Sequence, residues 1–145
     1  MILIGDASGL VAAFNSSSGM HRSARRAFID SPATVVSPPV LLEIEHVITR
    51  EQGRSAAYGV NDWLLKNAEG RRIVVPELTA EMLRRARSVQ DRYRDLRLDL
   101  ADAVNVVLAE RYETPRMLTL DARDFRAVRP LSGHDAFVLV PKDES

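Results

Sequence analysis

Short apolar runs rich in β-branched residues alternate with longer stretches of helical period along the whole chain. Ile2–Ile4, Thr34–Val36, Ile73–Val75, Met117–Leu120 and Phe137–Val140 read as strands. Their near-continuous apolar character is what a parallel sheet needs when helices cover both of its faces. The pattern predicts an α/β domain with a central parallel sheet of about four to five strands flanked by helices. Pro38-Pro39 suits a helix start, because a proline in the first turn gives up an N–H that has no partner there. That helix runs to Gln52, with Gly53 as its stop. Thr79 is the expected N-cap of a helix reaching Tyr93, and Asp99-Leu100-Ala101-Asp102 has the spacing of a capping box. The segment Leu100–Arg111 is apolar nearly all round, as in a helix packed on two sides.

With 145 residues and no linker or repeat, the chain is read as one domain over 1–141 and a polar C-terminal tail over 142–145. The absence of Cys excludes disulfides, thiolate metal sites and cysteine nucleophiles, and three His leave little imidazole chemistry. Equal numbers of acidic and basic residues, 20 each, argue against a strong overall grip on nucleic acid. Any contact with RNA must be local. Met1–Asp6 has no basic leader, and no apolar run approaches the length of a membrane span, so a cytoplasmic protein without membrane contact is expected.

A few carboxylates fall in unusual places. Asp6 directly follows the first strand and Asp121 the fourth, and the carboxyl ends of parallel strands open onto the crevice where ligands bind. With Val40 as the origin of its helix, Ile44 falls at about 40°, Val47 at about −20° and Glu43 at about −60°. Glu43 therefore borders the buried stripe, whereas Glu45 lies on the far side. Asp102 sits near the start of the all-apolar helix, at the edge of the core. Each acid also has an ordinary alternative: Asp6 as a cap with Ser8, Glu43 paired with an arginine, Asp102 in its capping box, Asp121 starting a turn. Gathered in one cleft, they repel and raise one another's pKa unless a cation offsets the charge. Oxygen donors without Cys select Mg²⁺, with Mn²⁺ as the alternative ion, and such sites support phosphodiester hydrolysis.

Four segments occur in order across the chain: Ile4-Gly5-Asp6-Ala7-Ser8-Gly9-Leu10, Val36-Ser37-Pro38-Pro39-Val40-Leu41-Leu42-Glu43, Leu98-Asp99-Leu100-Ala101-Asp102-Ala103 and Leu118-Thr119-Leu120-Asp121-Ala122-Arg123-Asp124-Phe125. In these the sequence resembles a PIN domain, and more narrowly a VapC-type toxin of a type II toxin–antitoxin pair. The resemblance implies a Mg²⁺-dependent ribonuclease with Asp6, Glu43, Asp102 and Asp121 as its acids. Asp6, Asp102 and Asp121 are assigned to the metal, and Ser8 and Thr119 match supporting polar positions. Asp99 stands where relatives often carry a small or hydroxyl residue. It is assigned to the helix cap, and Asp124 to an outer shell. The resemblance also implies a homodimer and a VapB-type antitoxin whose tail covers the acidic groove. The residues do not name the RNA, and transfer RNA is taken as the expected target, with ribosomal and messenger RNA close behind.

All but Lys66 and Lys142 of the basic residues are arginine. The run from Arg84 to Arg97 is interleaved with Asp91 and Asp95 and reads mainly as a solvated face with local ion pairs. Arg123 and Arg126, close to Asp121, are the expected RNA contacts. Amphipathic helices at His21–Ile29 and Ala56–Leu65, with Phe28, Tyr58, Trp63 and Leu64, have two readings, antitoxin groove or core. Two other functions compete with the ribonuclease. A phosphotransfer enzyme using Asp6 lacks the second Asp and the late-strand lysine that such chemistry needs, and a non-catalytic RNA-binding translation blocker would survive loss of the acids.

Overall fold

A computed structural model describes residues 1–144. Its five strands are β1 Leu3–Gly5, β2 Thr34–Val35, β3 Ile73–Val74, β4 Arg116–Leu118 and β5 Val138–Val140. They pair in parallel in the order β3-β2-β1-β4-β5. Seven α-helices accompany them among the described residues: α1 Ala7–Phe14, α2 His21–Asp30, α3 Pro38–Gln52, α4 Arg54–Glu69, α5 Ala80–Arg92, α6 Leu100–Arg111 and α7 Ala122–Ala127. The fold is the flanked parallel sheet that the alternating pattern predicts.

Strand alternation divides the core in two. Leu3, Ile73, Leu118 and Val140 point to one face, packed with Leu10, Phe28, Ile44, Ile48 and Leu64 of α1 to α4. Ile4, Val35, Met117 and Leu139 point to the other, against Ala86 and Val89 of α5, Val104 and Leu108 of α6 and Phe125 of α7. α6 is buried from Ala103 through Ala109, so its lack of a polar face has the expected cause.

Local signals set the ends of the helices. Ser37 Oγ accepts from Val40 N at the start of α3, followed by Pro38 and Pro39. Gly53, at φ 96°, ends α3 and begins α4 in a backbone conformation open to glycine. Thr79 and Asp99 cap α5 and α6 through Met82 N at 3.2 Å and Asp102 N at 2.8 Å. β4 stops at Leu118, short of the expected Leu120, because the Leu120 amide turns to Ser8 Oγ at 3.0 Å. Lys142–Glu144, read from the sequence as polar tail, form a 3-10 turn. Glu144 takes the Arg116 guanidinium through two bonds of 2.9 and 2.8 Å, and Asp143 takes that of Arg126 at 2.9 and 2.7 Å. Ser145 lies outside the described residues.

Sheet order decides where chemistry can occur. From central β1 the chain steps outward to β2 and β3, then returns to lay β4 against the other side of β1. The carboxyl ends of β1 and β4 thus flank the point where the winding reverses, the usual ligand crevice of an open α/β sheet. Gly9 lets α1 lie directly on β4: a Cβ there would stand 2.5 Å from the Leu118 carbonyl oxygen. That approach brings the start of α1 to the end of β4.

Candidate active site

Asp6 and Thr119 leave neighbouring strands side by side, and both are buried. Thr119 Oγ1 donates to Asp6 Oδ2 at 2.8 Å, and Ser8 Oγ donates to the same oxygen at 2.9 Å. The two hydroxyls lie 3.2 Å apart. Each is itself held by a backbone amide, Leu120 N to Ser8 Oγ at 3.0 Å and Asp121 N to Thr119 Oγ1 at 3.0 Å. One carboxylate oxygen is fixed by a small network tying β1, α1 and the segment after β4 together.

Glu43 enters from α3, half-buried, and lines a cleft of about 640 Å³ with Ser8, Val47 and Leu120. Asp102 sits in the first turn of α6, with Asp99 one turn before it. Electrostatics ties the acids together. Burial pushes the Asp6 carboxyl up, helped by Asp121, while Thr119, Ser8 and the Ala7 amide oppose the shift. Glu43 is pushed up to about 7, first by burial and then by the charges of Asp99 and Asp6. Asp102 is pushed up to about 8 by burial, then by Asp99 and Asp6. Every charge acting on these three groups is acidic.

The ordinary roles open to each acid are mostly unfilled. Asp6 and Asp121 stand at the N-cap positions of α1 and α7 without a side-chain capping bond. Glu43 has no ion-pair partner among the described residues. Asp99 accepts the α6 capping bond while its charge also bears on Glu43 and Asp102. Asp121 is exposed on the rim, and Asp124 lies in the first turn of α7. Among the described residues, no three acids are drawn close enough to enclose an ion already. The donors fit one nonetheless: all are oxygen, their charges act on one another, and a cation would relieve a repulsion that otherwise favours protonation.

A PIN domain model matches residues 3–130. The chain belongs to the PIN-domain family. Over 141 residues, 96% of this chain and 100% of the relative, it is 36% identical to Ribonuclease VapC26 of Mycobacterium tuberculosis. This PIN domain is thus one of the VapC ribonuclease toxins. The crystal structure of Mycobacterium tuberculosis VapC20, a sarcin–ricin loop cleaving toxin, resembles it with a TM-score of 0.75 at 20% identity, over 84% of this chain and 92% of that one. That likeness concerns the fold.

The basic residues and the amphipathic helices of the PIN domain divide. Arg123 is exposed, whereas the Arg126 guanidinium is occupied by Asp143. In the 84–97 run, Arg84, Arg85 and Arg87 pair with Glu81, Glu110 and Asp91. Phe28 and Leu64 are core, and Phe28, Phe14 and Trp63 form a cluster with centroids 5.4 to 5.9 Å apart, Phe14 edge-on to Trp63 and the other two pairs tilted. Tyr58 and Leu65 remain exposed. No helix among the described residues is long and apolar enough to cross a membrane. Sequence reasoning missed the packing role of Gly9 and the arginines of α2. For the latter, the signal was Arg22 and Arg26 at i, i+4 on the polar face.

Proposed function

We propose that this PIN domain is a Mg²⁺-dependent ribonuclease toxin whose ion is held by Asp6, Asp102 and Asp121, with Mn²⁺ as a substitute. One observation carries the reading: at the sheet's reversal point, burial and then the neighbouring charges of Asp6, Asp99 and Asp121 push up the pKa of Asp6, Glu43 and Asp102, three acids from separate parts of the chain, with no cation among the charges acting on them. When bound, the ion activates a water and offsets charge on a phosphate oxygen. The protein's own groups do the rest. Ser8 and Thr119 fix Asp6 and favour its charged form. Glu43, with a pKa near neutrality, is suited to take the proton of the attacking water. Asp99 holds the first turn of α6 and so orients Asp102, and Asp124 supports the rim from α7.

The substrate is RNA in the cytoplasm, with transfer RNA the first target to test. The sarcin–ricin loop stands beside it, because the structural neighbour VapC20 cleaves that loop. A VapB-type antitoxin neutralises the enzyme, its contact lying on the exposed part of α2 and α4 near Tyr58 and Trp63, and the toxin works as a homodimer. Induction of wild type and Asp102→Asn in cells, with total RNA examined for discrete fragments, tests the reading. Growth arrest with fragments only in the wild type supports it, and the fragment ends name the target. Equal arrest by both without fragments overturns it in favour of a binder.

A further inference from the structure

We infer that the polar face of α2 is the track along which RNA phosphates reach the acids, with Arg22 and Arg26 as its positioning residues. The inference rests on the ribonuclease reading and adds where the substrate strand runs.

Three clefts join end to end. The acidic cleft, with Ser8 and Glu43, shares Leu120 with a second of about 310 Å³ that is lined by Thr119, Ser23, Pro141 and Lys142. The second shares Ser23 and Pro141 with a third of about 460 Å³, which Arg22 and Arg26 line. A row of adjoining clefts with shared walls therefore leads from the Asp6 network to two arginines one helical turn apart. Charge decides its occupant. Arg22 and Arg26 are exposed and make no ion pair or side-chain hydrogen bond among the described residues. Two other charges of the third cleft cancel, because Glu144 is taken by Arg116. Asp30 alone is left as a negative group at that end.

α2 follows directly on Met20, which lines the second cleft, so the helix runs from that cleft into the third. An acidic centre repels a polyanion. A strand is held there only if cations grip the phosphates further along, and an exposed arginine pair at i, i+4 presents such forks. The alternative pair, Arg123 and Arg126, has half of its charge already bound by Asp143.

The test uses the full chain silenced by Asp102→Asn, with a fluorescent mixed-sequence single-stranded RNA titrated at several salt concentrations. Adding Arg22→Gln and Arg26→Gln should weaken binding about tenfold at low salt and reduce the slope of log K against log salt by about 1.4, or about 0.7 for each phosphate no longer neutralised. Arg22→Lys with Arg26→Lys should restore most of the slope. Both side chains are exposed, so unchanged thermal melting is expected and separates binding from folding. Unchanged affinity and slope in the glutamine variant, with a loss in Arg123→Gln and Arg126→Gln instead, would overturn the track and leave the ribonuclease reading intact. Normal RNA binding with loss of antitoxin neutralisation would assign the arginines to the protein partner, which also overturns it. If the active wild-type chain cuts no cellular RNA, the ribonuclease reading itself fails.

Discussion

Thr119 Oγ1 donates to Asp6 Oδ2 at 2.8 Å and is itself held by the Asp121 amide at 3.0 Å, so one hydroxyl ties together the two acids that follow adjacent strands. Thr119→Val keeps the shape and removes the donor. Loss of a group that orients a metal-binding carboxylate costs about 10- to 100-fold in metal affinity or activity. RNA cleavage against Mg²⁺ concentration should show that loss as a rightward shift, with Thr119→Ser retaining most of the wild-type response.

The approach of α1 to β4 predicts a packing defect. Gly9→Ala sets a methyl group against backbone atoms of Leu118 that cannot swing aside. Overpacking of this kind costs about 1 to 3 kcal/mol. Thermal unfolding should show it, with Gly19→Ala, where a Cβ meets nothing within 4 Å, as the unaffected comparison.

Stability should depend on pH in a direction opposite to that of ordinary surface acids. Glu43 at about 7 and Asp102 at about 8, together with the raised Asp6, bind protons more tightly in the folded chain than in the unfolded one. Their contribution is present near the ordinary carboxylate pKa and is lost as pH rises through the folded values. In chelator, the melting temperature should therefore fall between about pH 5 and pH 8. Asp102→Asn should flatten that fall, and Mg²⁺ should flatten it in the wild type by stabilising the ionised carboxylates. A pH-independent melting curve in chelator would count against the coupled acids.

Asn105 is fully buried on α6, and neither polar atom of its side chain bonds to a protein group among the described residues. Asn105→Leu removes two unmatched groups from an apolar setting and should stabilise the domain by about 1 kcal/mol or more. Chemical denaturation should show a higher midpoint with an unchanged slope.

The elements were legible because their causes are local. Pro38-Pro39 and Gly53 bound α3, the apolar girth of the 100–111 segment announces a helix between two layers, and the β-branched pair Ile73–Val74 marks a strand. Asp6 and Asp121 were readable as acids on strand ends. That β1 and β4 are neighbours was not, since strand order is a non-local property with no periodicity to carry it. Gly9 looked like any small residue, because its reason is a backbone 109 positions away. The order of residues 142–144 comes from Arg116 and Arg126 and leaves no trace in three polar letters. The arginines of α2 were overlooked for the same reason: what distinguishes them from Arg84 or Arg87 is that, among the described residues, neither is drawn into an ion pair.

The seating of β4 beside β1 has a consequence for the cell that makes this chain. Residues 6 and 121 belong to one site, yet the ribosome must release nearly the whole domain before the later segment can join the earlier one. A nascent chain, or a fragment ended before residue 116, carries Asp6, Glu43 and Asp102 but lacks Thr119 and Asp121, so the network that fixes Asp6 is incomplete. Completion of the sheet is the safety catch. The full set of acids first comes together when roughly the last fifth of the polypeptide closes onto the first strand.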